Sequence, residues 1–261
     1  MFKRKKLVFV SGFAAVLLLC GIGFIRGQYV LPIAMYHSVA PVVPEGNRLI
    51  VSVKTFERQM AFLKKNVYNT VTLEQAASMI KKKNKIPAKT IVLTFDDGNK
   101  DNYTYAFPVL KKYRLPATIF IIVSKVGKPD KLDWEQIKEM KDSGLVSFGS
   151  HSLNHPFLEN IEDSEILKKE ISDSKRILEE NLKKEVNTFS YPCGRLNSRV
   201  RQEVVSAGYK AAVVTNPGKN CLDDDIFALK RLRISENASN MFVFWIETSG
   251  YYNFIREHRH K

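Results

Sequence analysis

Cysteine is scarce in this chain, with three residues in 261: Cys20, Cys193 and Cys221. A small disulfide-stapled scaffold is excluded. Cys193 and Cys221 could pair, but a chain of this length does not need the bond, so unpaired thiols are expected. Histidine is nearly as rare, at five. Acid is in deficit, 27 Asp and Glu against 41 Lys and Arg, and the first 26 residues hold none at all. There is no Pro/Gly/Ser-rich linker, no internal repeat and no low-complexity stretch, which argues against two tethered domains. What is abundant is core: 44% of the residues are hydrophobic and 11% aromatic, which excludes a disordered chain. The net charge of +14 favours anionic surroundings such as a cell wall or membrane surface. Its lysines are scattered among acids, however, as a solvated surface would be.

The chain opens with "MFKRKK", followed by nineteen mostly apolar, uncharged residues and then Arg26. That run spans a bilayer as a helix, and the basic cluster before it places the start in the cytoplasm and the rest outside. No A-x-A-like cleavage site follows. Leu19 is too bulky before Cys20 for a lipoprotein site. Residues 1–27 are therefore expected to be a basic stub and signal-anchor helix in the cell membrane, with secretion after cleavage as the alternative. Residues 28–250 form the expected domain, and residues 251–261 a basic tail that carries His258 and His260.

Within that domain, strand-like runs alternate with helical patterns. The runs are "LPIAMY" from Leu31, "TIVLTF" from Thr90, "ATIFIIV" from Ala117, "LVSFGS" from Leu145, "NTFSY" from Asn187, "AAVVT" from Ala211 and "ALKRLRI" from Ala228. Phe56, Met60, Leu63 and Val67 share one helical face. Leu73, Ala76, Ala77 and Ile80 share another, behind a Thr72/Gln75 capping box, and Ile137 and Met140 a third behind Asp133/Gln136. Leu167, Ile171, Leu178 and Leu182 line a longer helix. Asn197 starts one through Val200 and Val204 that Gly208 ends. Seven strands in a βα series predict an α/β fold with a parallel sheet, a closed or slightly open barrel, with a doubly wound open sheet as runner-up. In either, chemistry gathers at the C-terminal strand ends.

Four informative stretches end predicted strands: "MYHS", "TFDDG", "HSLNH" and "SYPCGR". Asp96 and Asp97 are adjacent carboxylates whose repulsion needs compensation by solvent, a cation or a metal. His151 and His155 are four apart, but Pro156 biases His155 away from a helix, and no acid completes an H-E-x-x-H protease motif. Asp97 with the two imidazoles makes a set that zinc accepts, as does iron(II) in oxygenases. Turn capping for the acids and loop hydrogen bonding for the histidines are the plain alternatives. Asp223, Asp224 and Asp225 read as a solvated loop. Tyr103, Trp134, Tyr191 and Trp245 are candidates to stack on sugars, Tyr191 foremost.

"TFDDG", "HSLNH" and "FSYPCG", in this order over roughly residues 31–234, resemble the polysaccharide deacetylases of carbohydrate esterase family 4. The resemblance implies a distorted (β/α) barrel of about seven strands, and metal-dependent removal of N-acetyl groups from amino sugars of wall or capsule polymers. It implies Asp96 as general base and Asp97, His151 and His155 as ligands of a divalent metal, most of all zinc. It implies the Cys193 backbone N–H as oxyanion donor, with Tyr191, Pro192 and Gly194 at the substrate. The family often has Tyr at the Cys193 position, a change that a backbone donor tolerates. Two departures matter more. Ser190 stands where many members carry a base-orienting Arg, Arg195 lying beyond the glycine, and no Leu-x-His closes the chain. In the poly-N-acetylglucosamine deacetylase subgroup, which this sequence resembles further in its early "YH", the resemblance implies that His37 stands in as general acid.

The expected partner is an N-acetylated glycan: poly-N-acetylglucosamine, peptidoglycan or a chitin-like polymer. Three rivals differ in bond or class. They are an O-acetyl esterase, a catalytically weak glycan-binding scaffold suggested by the missing Arg and late His, and a non-haem iron oxygenase, whose usual ligand order differs. Nucleic acid, suggested by charge alone, is not an expected partner outside a membrane.

Overall fold

The computed structural model describes residues 29–82, 86–215 and 225–252, with Cys20, Gly21, Gly23 and Arg26 before them. The strands are β1 (Ile33–Tyr36), β2 (Ser38–Ala40), β3 (Ile50–Ser52), β4 (Asn69–Val71) and β5 (Thr90–Phe95). They continue with β6 (Ala117–Ile121), β7 (Val146–Ser150), β8 (Thr188–Ser190), β9 (Ala211–Val213) and β10 (Leu232–Arg233). The helices are α1 (Val53–Lys65), α2 (Leu73–Lys81), α3 (Phe107–Tyr113), α4 (Trp134–Asp142), α5 (Ser164–Lys168), α6 (Ser174–Leu182), α7 (Ser198–Ser206) and α8 (Met241–Thr248).

Seven strands form one parallel wall in the order β10-β1-β5-β6-β7-β8-β9, with β4 on the first half of β5 and β6 on the second. The wall curls. Leu229, just before β10, bridges to Val213 of β9, with Leu229 N–H donating to Ala212 O and Val214 N–H to Leu229 O, each at 2.9 Å. This is a parallel-sheet half-barrel of the α/β class, consistent with the expected seven-stranded barrel; the doubly wound alternative fails because the two ends of the wall meet.

Strands β1, β5, β6 and β9 are buried at every residue, which is why they read as largely apolar runs, whereas β10 exposes Arg233. In β5 all six residues are buried, and the two-residue period divides them. Ile91, Leu93 and Phe95 pack outward in the main core with Phe56, Met60, Leu110, Ile137 and Val204. Val92 turns inward with Ile33, Phe120, Val213 and Leu229, and α2 contributes Leu73, Ala76 and Ile80 to the same inner cluster. Gly149 permits the inner packing: a Cβ there would lie 2.6 Å from the Phe120 ring and 2.5 Å from Thr188 Oγ1.

Both predicted capping boxes form, at Thr72/Gln75 and Asp133/Gln136. Asn197 caps α7 through Val200 N–H. One helical reading needs correction. Val67 lies beyond the end of α1, at φ 56° and 81% exposed, because the chain turns there to enter β4. The helix through Leu167 and Leu182 forms with all four apolar residues buried, and it carries a π-turn, Lys169–Asp173, between α5 and α6.

The anchor expected over residues 1–27 lies almost wholly outside the described residues, as do His258 and His260 in the tail. No helix among the described residues is long and apolar enough to cross a membrane.

Candidate active site

Inward-facing positions of several strands climb to one mouth at the C-terminal edge of the wall. On β5 they are Val92, Thr94 and then Asp96. Asp96 is 1% exposed, and Arg231, fully buried, grips it with both nitrogens of its fork: Nη1 donates to Oδ1 at 2.7 Å and Nη2 to Oδ2 at 2.6 Å. Arg231 is itself held by Val214 O, Thr94 Oγ1 and Ser190 Oγ, with its guanidinium over the Phe120 ring. Burial opposes the Asp96 charge, but the Arg231 cation and its hydrogen bonds prevail and keep the carboxyl well below the usual carboxylate range.

That arrangement corrects a reading from sequence. The base-orienting arginine taken as missing at Ser190 is present as Arg231, reached from the opposite end of the chain, and the Ser190 hydroxyl fills the place beside it. Sequence reasoning missed Arg231. The only signal was the strand-like "ALKRLRI", whose three cations lie among apolar residues; a cation that such a strand buries requires an anion, but the run does not say which of the three it is.

Asp97 follows in the left-handed region, φ 73°, with Gly98 at φ 60°, and this tight turn brings its carboxylate back over the mouth. His151 extends β7: its N–H donates to Ile121 O at 2.8 Å. Its ring Nδ1 lies 2.7 Å from Ser190 O. A carbonyl only accepts, so Nδ1 carries the proton and Nε2 keeps its lone pair, the tautomer a metal ligand needs. His155, at φ 66°, is set by its N–H to Ser152 Oγ at 2.9 Å. Glu170, on the π-turn, pins the same loop by accepting Asn154 N–H at 2.9 Å and Nδ2 at 2.6 Å. Glu170 was also missed; an acid beside Leu167 and Ile171 on a buried stripe was its signal.

Asp97, His151 and His155 each offer one ligand atom, all within 4.8 Å of one another. Asp97 Oδ1 is 3.7 Å from His151 Nε2 and 4.0 Å from His155 Nε2. These spacings are too long for hydrogen bonds, and they suit a cation about 2.0–2.2 Å from each atom. Burial pushes His151 down to about 4, so its imidazole is neutral. Two imidazoles and one carboxylate fit a divalent cation. They also answer the adjacent-acid problem, with Arg231 compensating Asp96 and the cation compensating Asp97.

His37 joins this site. Its backbone carbonyl accepts from Asn102 Nδ2 at 2.8 Å and Asn99 Nδ2 at 3.3 Å. Burial lowers its basicity, while the Asp96 and Asp97 charges pull the other way. Its Nδ1 is buried without a partner among the described residues. Cys193, exposed and at φ 55°, lies within the 3-10 turn Pro192–Gly194 that follows β8. Amides in such a first turn lack carbonyl partners within it. Cys193 has no disulfide among the described residues, and Cys221 lies outside them.

The expectation that Tyr191 stacks on substrate needs correction. The residue is fully buried, its hydroxyl donates to Phe227 O at 2.9 Å, and its ring packs against Phe189, which leaves no face for a sugar. Pro192 and Gly194 are buried too; they shape the turn. A Cβ at Gly194 would lie 2.1 Å from Thr215 Oγ1. Trp134 packs on the core, Tyr103 donates to Glu139, and Trp245 sits exposed beside Phe242. Asp225 pairs with Arg201, as a solvated loop residue does; Asp223 and Asp224 lie outside the described residues.

Known proteins resemble this chain in sequence and in fold. Residues 83–212 match the polysaccharide deacetylase family. YxkH of Bacillus subtilis, itself named for that family, is 38% identical over 219 residues, covering 84% of this chain and 76% of that protein. The chain belongs to the polysaccharide deacetylases. A second member, named poly-β-1,6-N-acetyl-D-glucosamine N-deacetylase, from Staphylococcus aureus, is 30% identical over 200 residues, 72% of this chain and 69% of that one. Among solved structures, the deacetylase PplD of Streptococcus pyogenes in complex with acetate superposes with a TM-score of 0.78 and 32% identity, over 84% of this chain and 98% of that one. As a polysaccharide deacetylase the protein is a hydrolase, and within its family a divalent metal is the general cofactor. The buried Asp96–Arg231 pair is an oriented carboxylate at the mouth, and an arginine beside it answers one of the two reasons for a non-catalytic scaffold.

Proposed function

We propose that this deacetylase removes N-acetyl groups from an N-acetylglucosamine-containing polysaccharide outside the cell membrane, with zinc at Asp97, His151 and His155. The observation that carries the proposal is the Arg231-held carboxylate of Asp96, whose Oδ2 lies 3.9 Å from His151 Nε2 in the ligand cluster. When bound, the cation supplies Lewis acidity at the acetyl carbonyl. The protein's own groups do the rest. Asp96 takes a proton from the attacking water, which is general base work for a group kept ionised by Arg231. The new C–O bond forms at the acetyl carbon, and the Cys193 N–H donates to the oxygen that becomes negative. His37, set by Asn99 and Asn102, gives a proton to the sugar nitrogen as the C–N bond breaks, and acetate and the free amine leave. The basic amino-terminal cluster and apolar run support an outward-facing, anchored enzyme.

Acetate release from β-1,6- and β-1,4-linked N-acetylglucosamine oligomers and from peptidoglycan fragments, with zinc or with chelator, tests this reading. Metal-dependent acetate from one of them, abolished in Asp96→Asn and His151→Ala, is expected. Release only from O-acetylated polysaccharides would replace the amide reading with an ester one.

A further inference from the structure

Phe157 stands two residues beyond the ligand His155 and is 47% exposed, although its neighbour Leu158 is fully buried. A large apolar ring is thus left in solvent at the edge of the mouth. Arg195 stands two residues beyond Cys193, on the other loop that borders the reacting group. The two loops meet here: the Arg195 guanidinium lies over the Phe157 ring, 5.1 Å from its centroid, and Nη1 donates to Glu159 Oε1 at 3.0 Å. Phe157, Arg195 and Glu159 therefore make one small wall, joining the ends of β7 and β8.

Its position follows from the reaction. The acetamide must sit between the ligand cluster and the Cys193 N–H. Two residues of chain reach at most about 7 Å, so the wall flanks the space immediately outside that point. Its chemistry is equally constrained. The guanidinium covers part of the ring and holds it in place, which leaves an apolar surface for the C–H face of a sugar. The charge of Arg195 is met by Glu159, so the wall carries polar edges for hydroxyl groups and no uncompensated cation for an acid.

Resting on the deacetylase function above, we propose that Phe157, held by Arg195 and Glu159, is a sugar-binding platform that takes an uncharged pyranose adjacent to the sugar being deacetylated. It gives the enzyme a preference for oligomers over a single sugar.

The test compares the full chain and its Phe157→Ala, Phe157→Tyr and Arg195→Ala variants on N-acetylglucosamine oligomers of increasing length, with Trp245→Ala as an exposed-aromatic control. In parallel, calorimetry follows oligomer binding to Asp96→Asn protein with and without Phe157→Ala. Phe157→Ala is expected to raise KM for the longer oligomers about tenfold, the effect of losing one aromatic anchor, with kcat within about twofold. The length preference should disappear, Phe157→Tyr should retain it, and Trp245→Ala should change nothing. Binding to the Asp96→Asn background should weaken by the same factor. Unchanged KM and binding in Phe157→Ala would overturn the platform. So would a fall in kcat at constant KM, which would mean that Phe157 only supports the His155 loop. Glycan that binds and is weakened by Phe157→Ala, yet is never turned over, would sink the catalytic reading and uphold the platform.

Discussion

At the scale of single residues, the site turns on how one buried charge is met. Asp96 and Arg231 are both shut off from water, and an ion pair of that kind gains little over an apolar pair, whereas losing one partner is expensive. Arg231→Met is expected to destabilise the protein by about 3–5 kcal/mol, read as a lower urea midpoint, and to abolish acetate release. Adding Asp96→Asn to Arg231→Met removes the stranded carboxylate, so the double variant should regain stability over Arg231→Met while staying inactive. An Arg231→Met protein as stable as the parent would show that Asp96 is solvated in a way this geometry denies. The pair also explains why the site was half legible from sequence. Asp96, Asp97, His151 and His155 lie in short local motifs whose residue types declare metal and base chemistry. Arg231 lies 135 residues from its partner, and nothing local to "ALKRLRI" says which acid it serves.

At the scale of elements, β1, β5, β6 and β9 were legible because strands buried on both faces are largely apolar runs, and β7, β8 and β10 by the shorter apolar stretches around them. Strands β2, β3 and β4 were not, being three residues long and partly exposed, where apolar runs do not build up. Of the two π-turns, Asn102–Ala106 and Lys169–Asp173, the second was hidden within a stripe of Leu167, Ile171, Leu178 and Leu182 whose spacing still reads as one helix, and the first lies where no helical stripe was read. Yet these turns place Asn102 beneath His37 and Glu170 beneath Asn154, as such bulges often do at functional sites. Strand β7 offers a direct check on how the wall supports the chemistry. Gly149 is flanked by Phe120 and Thr188 at distances no Cβ tolerates, and Phe120 underlies the Arg231 guanidinium. Gly149→Ala should therefore cost about 1–3 kcal/mol through overpacking and lower kcat by displacing Arg231. A thermal melt with parallel kinetics would read both; a variant with parental activity would show that the Phe120 floor moves independently of the site.

At the scale of the whole molecule, the two ends of the described chain close on each other, and the candidate metal site ties two strand ends together, those of β5 and β7. Zinc in hundredfold excess over its Kd should stabilise the folded state by about 2.7 kcal/mol. In a domain of this size that corresponds to a rise in Tm of about 5–10 °C, absent from His151→Ala whatever its activity. At the other side of the barrel, Val30 N–H donates to Gly250 O at 2.8 Å and Tyr29 packs edge-on to Tyr251, so α8 seals the wall beside β1. Glu247 on α8 is the weak point of that seal. Its Oε2 is buried without a partner among the described residues, and burial raises its carboxyl from about 4.5 to about 7. Between those values the folded chain holds a proton that the unfolded chain has released, so this residue's contribution to stability is full below about 4.5 and is lost as the pH rises through about 7. The buried His37 and His151 act in the opposite sense, since burial lowers both, and they would mask the effect in a single melting curve. The difference in Tm between the parent and Glu247→Gln cancels them. That difference should grow steadily in favour of Glu247→Gln from about pH 5 to neutrality; a difference that stays flat over this range would mean that Glu247 ionises in contact with water and that the seam is open there.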